Sequence, residues 1–160
     1  MRITTVSIML VVLASGALAA EPRNAFVSND LGISIEAPIA KDTKSPNYQI
    51  AMFFLPASDN FAANVNVQKQ QFREALKTYD KLTMSQFRQF NMTVLNRMLK
   101  GNDLRYEYKG DMQGRTLHWY ARAIKTEQHV YLVTATSLDS QWEQQKSMLI
   151  KSVDSFAAKQ

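Results

Sequence analysis

Apolar and polar residues alternate along the first half of the chain in patterns that predict short strands. Residues 25–27 and 33–35 flank a turn-rich stretch at 29–32, which predicts a β-hairpin. Residues 48–55 form an almost unbroken apolar run between two prolines, and residues 63–70 alternate apolar with polar side chains. These two runs predict two further strands joined by a loop.

A helix is predicted next. Thr83 and Gln86 have the spacing of a capping box, and Gly101 would end the helix that follows. The apolar positions of this helix recur every three or four residues: Phe87, Phe90, Val94, Leu95 and Met98. Phe72, Leu76 and Tyr79 indicate a shorter helical turn just before it.

The last helix is predicted from the same signals. A second capping box, Ser140 to Glu143, opens a segment that has apolar residues on one side. These residues are Trp142, Leu149, Val153 and Phe156.

Three strands lie between the helices. Residues 104–109 alternate, 110–114 form a turn, and 116–137 read as a hairpin centred on Thr126 and Glu127. With that turn, Arg122 lies opposite Tyr131. Both faces of the hairpin then carry large apolar or aromatic side chains, which indicates that both faces of the sheet are covered. The expected fold class is therefore α+β, with an antiparallel β-sheet sandwiched between helices in an α/β/α arrangement.

The two histidines fall at opposite ends of this hairpin. With His129 opposite Ile124, His118 lies about 20 Å away at roughly 3.3 Å per residue, too far to share one metal ion. We expect no metal site, no cofactor and no catalytic residue. No Gly-x-Ser-x-Gly elbow or glycine-rich phosphate loop is present, and the eight methionines form no copper-type cluster.

The first residues resemble a cleaved secretory signal. Arg2 precedes a mostly apolar stretch that ends in a small-residue site, which predicts a signal peptide over 1–19 with cleavage after Ala19 or Ala20. A single domain is then expected over 20–160.

The chain has no cysteine, so neither a lipid-modified cysteine anchor nor a disulfide is expected in the oxidising compartment. We expect a soluble protein without a transmembrane segment, periplasmic or secreted.

The charge adds little to this picture. The chain carries a net charge of +5, but its basic residues are scattered among acids. Nucleic-acid binding needs basic side chains clustered on one face, so it is not expected. If a binding surface exists, the hairpin and a nearby loop are the expected places, because the hairpin combines aromatic rings with one cation. The candidate residues are His118, Tyr120, Arg122, Tyr131 and Phe61, the last of which we expect to be exposed.

Four phrases of the sequence resemble the PsbP-like superfamily, including the bacterial DcrB-like periplasmic proteins. They are "FVSNDLGISIEAP", "FAANVNVQKQ", "YKGDMQGRTLHWYARAIKTEQHVYLVTATS" and "QWEQQKSMLIKSVDSF". The resemblance implies an antiparallel sheet between helices and a non-enzymatic role in binding or assembling other proteins. It assigns no functional residue.

These observations lead to one expected function and two alternatives. We expect an exported accessory protein that acts through contacts with an unknown, envelope-associated protein partner. The first alternative is a periplasmic hydrolase, which requires His118 in a cleft within about 3 Å of a Ser, Asp or Glu side chain. The second is a carrier of a small ligand or lipid, which requires an apolar cavity of a few hundred Å³ between sheet and helix.

Overall fold

The N-terminal part of the chain contains a two-stranded hairpin. The structure is a computed structural model that describes residues 25–28, 33–36 and 48–158. It divides into two units, Ser7–Pro46 and a larger one containing Asn47–Gln160. In the smaller unit, β1 (Ala25–Ser28) pairs antiparallel with β2 (Ile33–Glu36). This pairing confirms the predicted hairpin, while its turn and the predicted signal segment 1–19 lie outside the described residues.

The larger unit is built on a six-stranded antiparallel sheet. Its strands are β3 (Tyr48–Phe54), β4 (Asn64–Gln71), β5 (Thr93–Lys100), β6 (Asp103–Met112), β7 (Arg115–Lys125) and β8 (His129–Leu138). Helix α1 (Leu76–Gln89) connects β4 to β5, and helix α2 (Asp139–Asp154) follows β8. The spatial order is β3-β4-β8-β7-β6-β5, so β3 and β5 are the two edges.

Helix α1 packs on one face of the sheet through aromatic rings. Phe87 meets Tyr106 edge-on with ring centroids 5.3 Å apart, and its centroid lies 4.3 Å from that of Tyr108. Tyr108 in turn stacks on Trp119 of β7 at 5.0 Å. Alternate residues of a strand share a face, which is why β6 presents both tyrosines to the helix. Each aromatic pair adds about 0.5–1.5 kcal/mol beyond burial of its area.

Helix α2 packs on the opposite face with the apolar side that its sequence predicts. Trp142, Leu149 and Val153 are buried against Val133 of β8 and Val65 of β4. The predicted capping box is wrong, because α2 begins one residue before Ser140 and has no side-chain cap. Within the described residues, no helix is long and apolar enough to cross a membrane.

The predicted fold class, a sheet sandwiched between helices, is wrong. About half of the larger unit's described residues lie in strands, and a single helix lies on each face. Helix α1 contacts β5 and β6, whereas α2 contacts β4, β7 and β8, so neither face is covered from edge to edge. The least covered strand is β5, seven of whose eight residues are exposed. The fold is an antiparallel six-stranded sheet with two helices.

The helix predicted from Thr83 to Gly101 is wrong beyond Gln89. Helix α1 ends at Gln89, and Asn91, with φ of 54°, turns the chain back to form β5. Thr83 lies inside α1, where its hydroxyl donates a hydrogen bond to the carbonyl of Tyr79. The helical part of this region is Leu76–Gln89, which joins the shorter predicted turn at Leu76 and Tyr79 to the first residues of the predicted helix.

The predicted β7–β8 hairpin has the right faces and the wrong pairing. The Thr126 amide donates to the His129 carbonyl, so the turn lies one residue later than predicted. Arg122 therefore lies opposite Val133 rather than Tyr131. A shift of two residues keeps every side chain on its face because side chains alternate with period two.

Candidate functional site

Strand β7 places three of the five candidate residues side by side, beneath α2. His118, Tyr120 and Arg122 are two residues apart, so they point to the same face of the sheet. His118 is only 5% exposed, and the other two are half-buried. The predicted surface is therefore covered by a helix, and its residues hold that helix at both ends.

His118 holds the first turn of α2. Its Nδ1 lies 2.9 Å from the carboxylate of Asp139, the first residue of α2, and its Nε2 lies 3.0 Å from the carboxylate of Glu107 on β6. The imidazole stacks on Trp142, whose indole N–H donates to the same oxygen of Glu107 at 3.1 Å. Both ring nitrogens of His118 are thus engaged by carboxylate oxygens, one from α2 and one from β6.

Asp139 is stabilised in its ionised form. The hydrogen bond from His118 lowers its pKa most, and the ammonium of Lys109, 3.1 Å away, lowers it further. Its position at the start of α2 also places the negative charge at the positive end of the helix dipole.

Arg122 holds the other end of α2. It donates to the carboxylate of Asp103 on β6 from Nε at 3.0 Å and from Nη2 at 2.8 Å. Its Nη1 donates to the main-chain carbonyls of Asp154 and Phe156 at 2.9 and 3.2 Å. The last carbonyls of a helix lack partners within it, so a cation there satisfies them and complements the helix dipole.

Arg105 and Tyr120 complete this end. Arg105 donates to the Asp154 carboxylate at 2.9 Å and to the Tyr120 hydroxyl at 3.1 Å, and that hydroxyl donates to Asp154. Burial favours the neutral form of Asp103, but the hydrogen bonds from Arg122 and Arg105 outweigh it and lower its pKa. We refer to the residues at both ends as the α2 clamp: Asp103, Arg105, Glu107, His118, Tyr120 and Arg122 on the sheet, with Asp139 and Asp154 on α2.

The remaining two candidates lie apart from the clamp. Tyr131 is 5.6 Å from Phe156 between ring centroids, and the cation near its ring is Lys69 at 5.8 Å. Arg122, which the predicted pairing placed opposite Tyr131, is therefore not the cation near that ring. Phe61 was expected to be exposed, but it is half-buried and packs on the core beneath α1. The five candidates do not form one surface.

The hydrolase alternative meets only half of its requirement. His118 has carboxylates within about 3 Å, yet it is buried under Trp142 rather than lining a cleft, and both its nitrogens are engaged. The predicted separation of the histidines is confirmed. His118 pairs with Ser137, eight positions from His129 along β8, which is about 26 Å. Within the described residues, no group of three or more His, Asp or Glu side chains has an arrangement that could hold a metal ion.

An open groove of about 950 Å³ lies at one end of the sheet. It runs between the start of α1 and the turns that follow β5 and β7, and charged side chains such as Arg73, Lys77 and Lys125 line it together with Leu99. Burial, followed by the charges of two nearby lysines, lowers the pKa of His129 in its wall. A groove of this kind differs from the enclosed apolar cavity that the carrier alternative requires.

An ion pair between the buried Asp80 and the half-exposed Arg97 ties α1 to the sheet on the other face. Asp80 accepts hydrogen bonds from Arg97 of β5, through Nε at 2.7 Å and through Nη2, and from the Tyr106 hydroxyl at 2.8 Å. Burial opposes ionisation of Asp80, but these donors outweigh it and lower its pKa. The sequence offered only a weak signal for Asp80, an acid one position after the apolar Tyr79.

Strand β5 exposes large apolar side chains at a free edge. Within the described residues it pairs with β6 alone, and seven of its eight residues are exposed. We refer to residues 90–100 as the β5 edge; its exposed large apolar residues are Phe90, Leu95, Met98 and Leu99. The sequence pattern does not reveal this feature, because most of these residues have the spacing of the buried side of a helix.

Comparison with known proteins supports the fold and nothing further. No family model and no curated protein matches the chain. Among solved structures, the chain is similar to the crystal structure of PA94 from Pseudomonas aeruginosa, described as a protein of unknown function and a candidate regulator. The TM-score is 0.67 at 13% identity, and the match covers 86% of this chain and 97% of that one. At that identity the likeness shows a shared fold alone.

Proposed function

We propose that this protein is an exported accessory protein of the bacterial periplasm that acts by binding another protein and needs no cofactor. The β5 edge is the observation that carries the proposal. Four large apolar side chains lie exposed within eleven consecutive residues, beside main-chain groups that no described strand pairs. Clusters of exposed large apolar side chains and unpaired strand edges mark interaction sites, because both favour association with another chain.

The hydrogen bonds of the side chains that could otherwise act in catalysis support the same proposal. His118, the residue on which the hydrolase alternative depends, bonds carboxylates through both nitrogens and stacks on Trp142. The arginines of the α2 clamp are bonded to acids and to helix carbonyls. These groups stabilise the attachment of α2, which accounts for their presence without a reaction.

The expected location rests on the sequence. The signal-like first residues and the absence of cysteine favour an exported protein without a lipid anchor. The resemblance of four sequence phrases to the PsbP-like superfamily favours a role in binding or assembling proteins, by analogy of fold.

Co-purification from cells tests this proposal. The full chain, tagged at its C-terminus, is expressed in a bacterium, cross-linked in the intact cell and recovered from the periplasmic fraction. Mass spectrometry then identifies the mature N-terminus and any stoichiometric partner. One partner at a fixed ratio, with cleavage after Ala19 or Ala20, is the expected result. Turnover in a broad hydrolase screen that is lost in His118→Ala, or no partner at any cross-linking level, would overturn the proposal.

A further inference from the structure

We propose that the β5 edge binds an extended, acidic segment of a partner protein, which adds to the sheet as a seventh strand beside β5. This inference rests on the proposed function and specifies the kind of partner. It combines three observations: a free strand edge, apolar side chains along it, and an unbalanced positive charge around it.

The geometry of β5 suits strand addition. The two-residue turn of Gly101 and Asn102 joins β5 to β6, with Lys100 opposite Asp103. In such a hairpin the residue pair next to the turn exchanges main-chain hydrogen bonds. Hydrogen-bonded pairs then alternate with non-hydrogen-bonded pairs along the two strands. The main-chain groups of Leu99 and Arg97 therefore point away from β6, where an incoming strand can reach them.

Apolar side chains lie on both sides of this edge. Leu99 lies opposite the buried Leu104, on the face that α1 covers, and Met98 lies opposite Arg105, on the other face. Met98 is 50% exposed and Leu95, at the bulge, is 48% exposed. An added strand would cover apolar surface on both faces, because its own side chains also alternate.

Charge identifies the partner as acidic. Residues 76–102 contain five basic residues and a single acid, Asp80, which is buried and paired with Arg97. The other four bases have no ion-pair partner within residues 48–158: Lys77, Lys81, Arg88 and Lys100. The groove that Lys77 and Leu99 line carries three bases, Arg73, Lys77 and Lys125, and two acids, Glu74 and Glu127, so positive charge is in slight excess beside the edge as well. Potentials at a binding surface are complementary, which favours a carboxylate-rich segment.

The same charge argues against a second copy of this chain. Pairing of two β5 edges would bring two surfaces of the same positive charge together, and like charges juxtaposed at an interface weaken association. The opposite edge, β3, continues from residues 37–47, which lie outside the described residues. The residues before and after β5 are all described, so β5 is the edge that carries the inference.

A peptide-binding experiment tests the inference. The probe is a fluorescein-labelled eight-residue peptide that alternates Glu and Val, as long as β5 itself. Fluorescence anisotropy with the full mature chain measures its Kd. We expect this peptide to bind about tenfold more tightly than a Lys–Val repeat, because charge complementarity selects it. Replacing alternate Val residues with Pro should weaken binding about tenfold, since proline removes ladder donors.

Two matched variants locate the site. Met98 and Met148 are 50% and 54% exposed, on β5 and α2 respectively. Met98→Glu should weaken binding of the Glu–Val peptide about tenfold by adding a like charge at the edge, and Met148→Glu should change it less than about twofold. Because the chain has no cysteine, Met98→Cys and Met148→Cys each accept one thiol-linked photo-cross-linker. Only the label at position 98 should attach to the peptide.

Each contrary result overturns the inference. These results are no binding of the Glu–Val peptide, equal binding of its proline form, or equal effects of the two glutamate variants. A dimer that Met98→Glu abolishes, seen by sedimentation, would assign the edge to a second copy, and binding to phosphatidylglycerol vesicles through Met98 would assign it to lipid. Both also overturn the inference. A stoichiometric partner that binds Met98→Glu and Met148→Glu equally would leave the proposed function standing while this inference fails.

Discussion

The imidazole of His118 lies flat on the indole of Trp142, with ring centroids 4.1 Å apart and ring planes 11° from parallel. This contact joins the sheet to α2 at a point where both rings also share the carboxylate of Glu107. His118, on which the hydrolase alternative depends, is thus a structural residue of the α2 clamp. We expect its substitution to lower the stability of the protein.

Substituting His118 should destabilise the protein. His118→Ala leaves the carboxylates of Glu107 and Asp139 without their shared partner and opens space against Trp142, which should cost about 2–4 kcal/mol. Urea denaturation followed by tryptophan fluorescence measures the change. Lys146→Ala is the control, because it removes an exposed pair with Glu143 worth less than about 1 kcal/mol. Equal effects of the two substitutions would contradict the clamp.

Stability should fall in acid. Hydrogen bonds and nearby cations lower the pKa of Asp80, Asp103 and Asp139 below the ordinary value of 3.8. A carboxyl whose pKa is lower in the folded state contributes stability that is complete above its unfolded pKa. That stability is lost as the pH falls through the folded pKa. Urea midpoints should therefore be level at mildly acidic pH and drop below about pH 4.

The Asp80→Asn variant isolates one contribution to this dependence. It should be less stable than the natural chain near neutral pH, because Arg97 loses its ionised partner. Its urea midpoint should also fall less steeply in acid, since one titrating carboxyl is gone. A variant whose acid dependence matches that of the natural chain would show that Asp80 does not titrate as described.

Stability should also fall in alkali. Burial raises the pKa of Tyr79, Tyr106 and Tyr108 above the ordinary value of 10.0. Their stabilising contribution is complete below the unfolded pKa and is lost as the pH rises towards the folded pKa. Phenolate absorbance and circular dichroism measured together should show these tyrosines ionising as the chain unfolds. Ionisation of all six tyrosines before any loss of structure would refute this.

Alanine at two turn glycines should test the hairpins on either side of β6. Gly101 and Gly114 have φ of 58° and 75°, and an added Cβ would meet nothing within 4 Å at either position. The cost of Gly101→Ala and of Gly114→Ala is therefore one of backbone conformation alone, about 1–2 kcal/mol each. Thermal unfolding measures both variants. Gln113→Asn serves as a control that should be neutral or slightly stabilising, because Asn tolerates the positive φ of 53° at Gln113.

Sequence pattern predicted the strands whose side chains alternate and missed the strand whose side chains do not. In β6, Leu104, Tyr106 and Tyr108 are buried while their neighbours are less so, and that period of two is legible in the sequence. Strand β5 lies at an edge, is exposed on both sides and has a bulge near Leu95. Its apolar residues therefore match helical spacing as well as they match a strand.

The prediction that the candidate residues form an exposed binding surface is wrong for a different reason. The sequence placed His118, Tyr120 and Arg122 on one face correctly, because alternation fixes the face. Their partners Glu107, Asp139 and Asp154 come from a neighbouring strand and a helix that meet them only in the folded chain. The spacing of residues along one strand does not indicate such long-range pairs. A strand that binds a partner protein and a strand that holds a helix of its own chain therefore have the same sequence pattern.

Strands β4 and β8 are neighbours in the sheet although Ala135, which lies opposite Val65, comes seventy positions later in the chain. Strands β5 to β8 can assemble by successive local closures, and so can β3 with β4. Joining the two assemblies closes a long loop, a step that chain entropy makes slow. Pairing of β4 with β8 should thus be the rate-limiting step of folding. An intermediate that accumulates before this step would expose two unpaired strand edges, one on β4 and one on β8, which could pair with another chain.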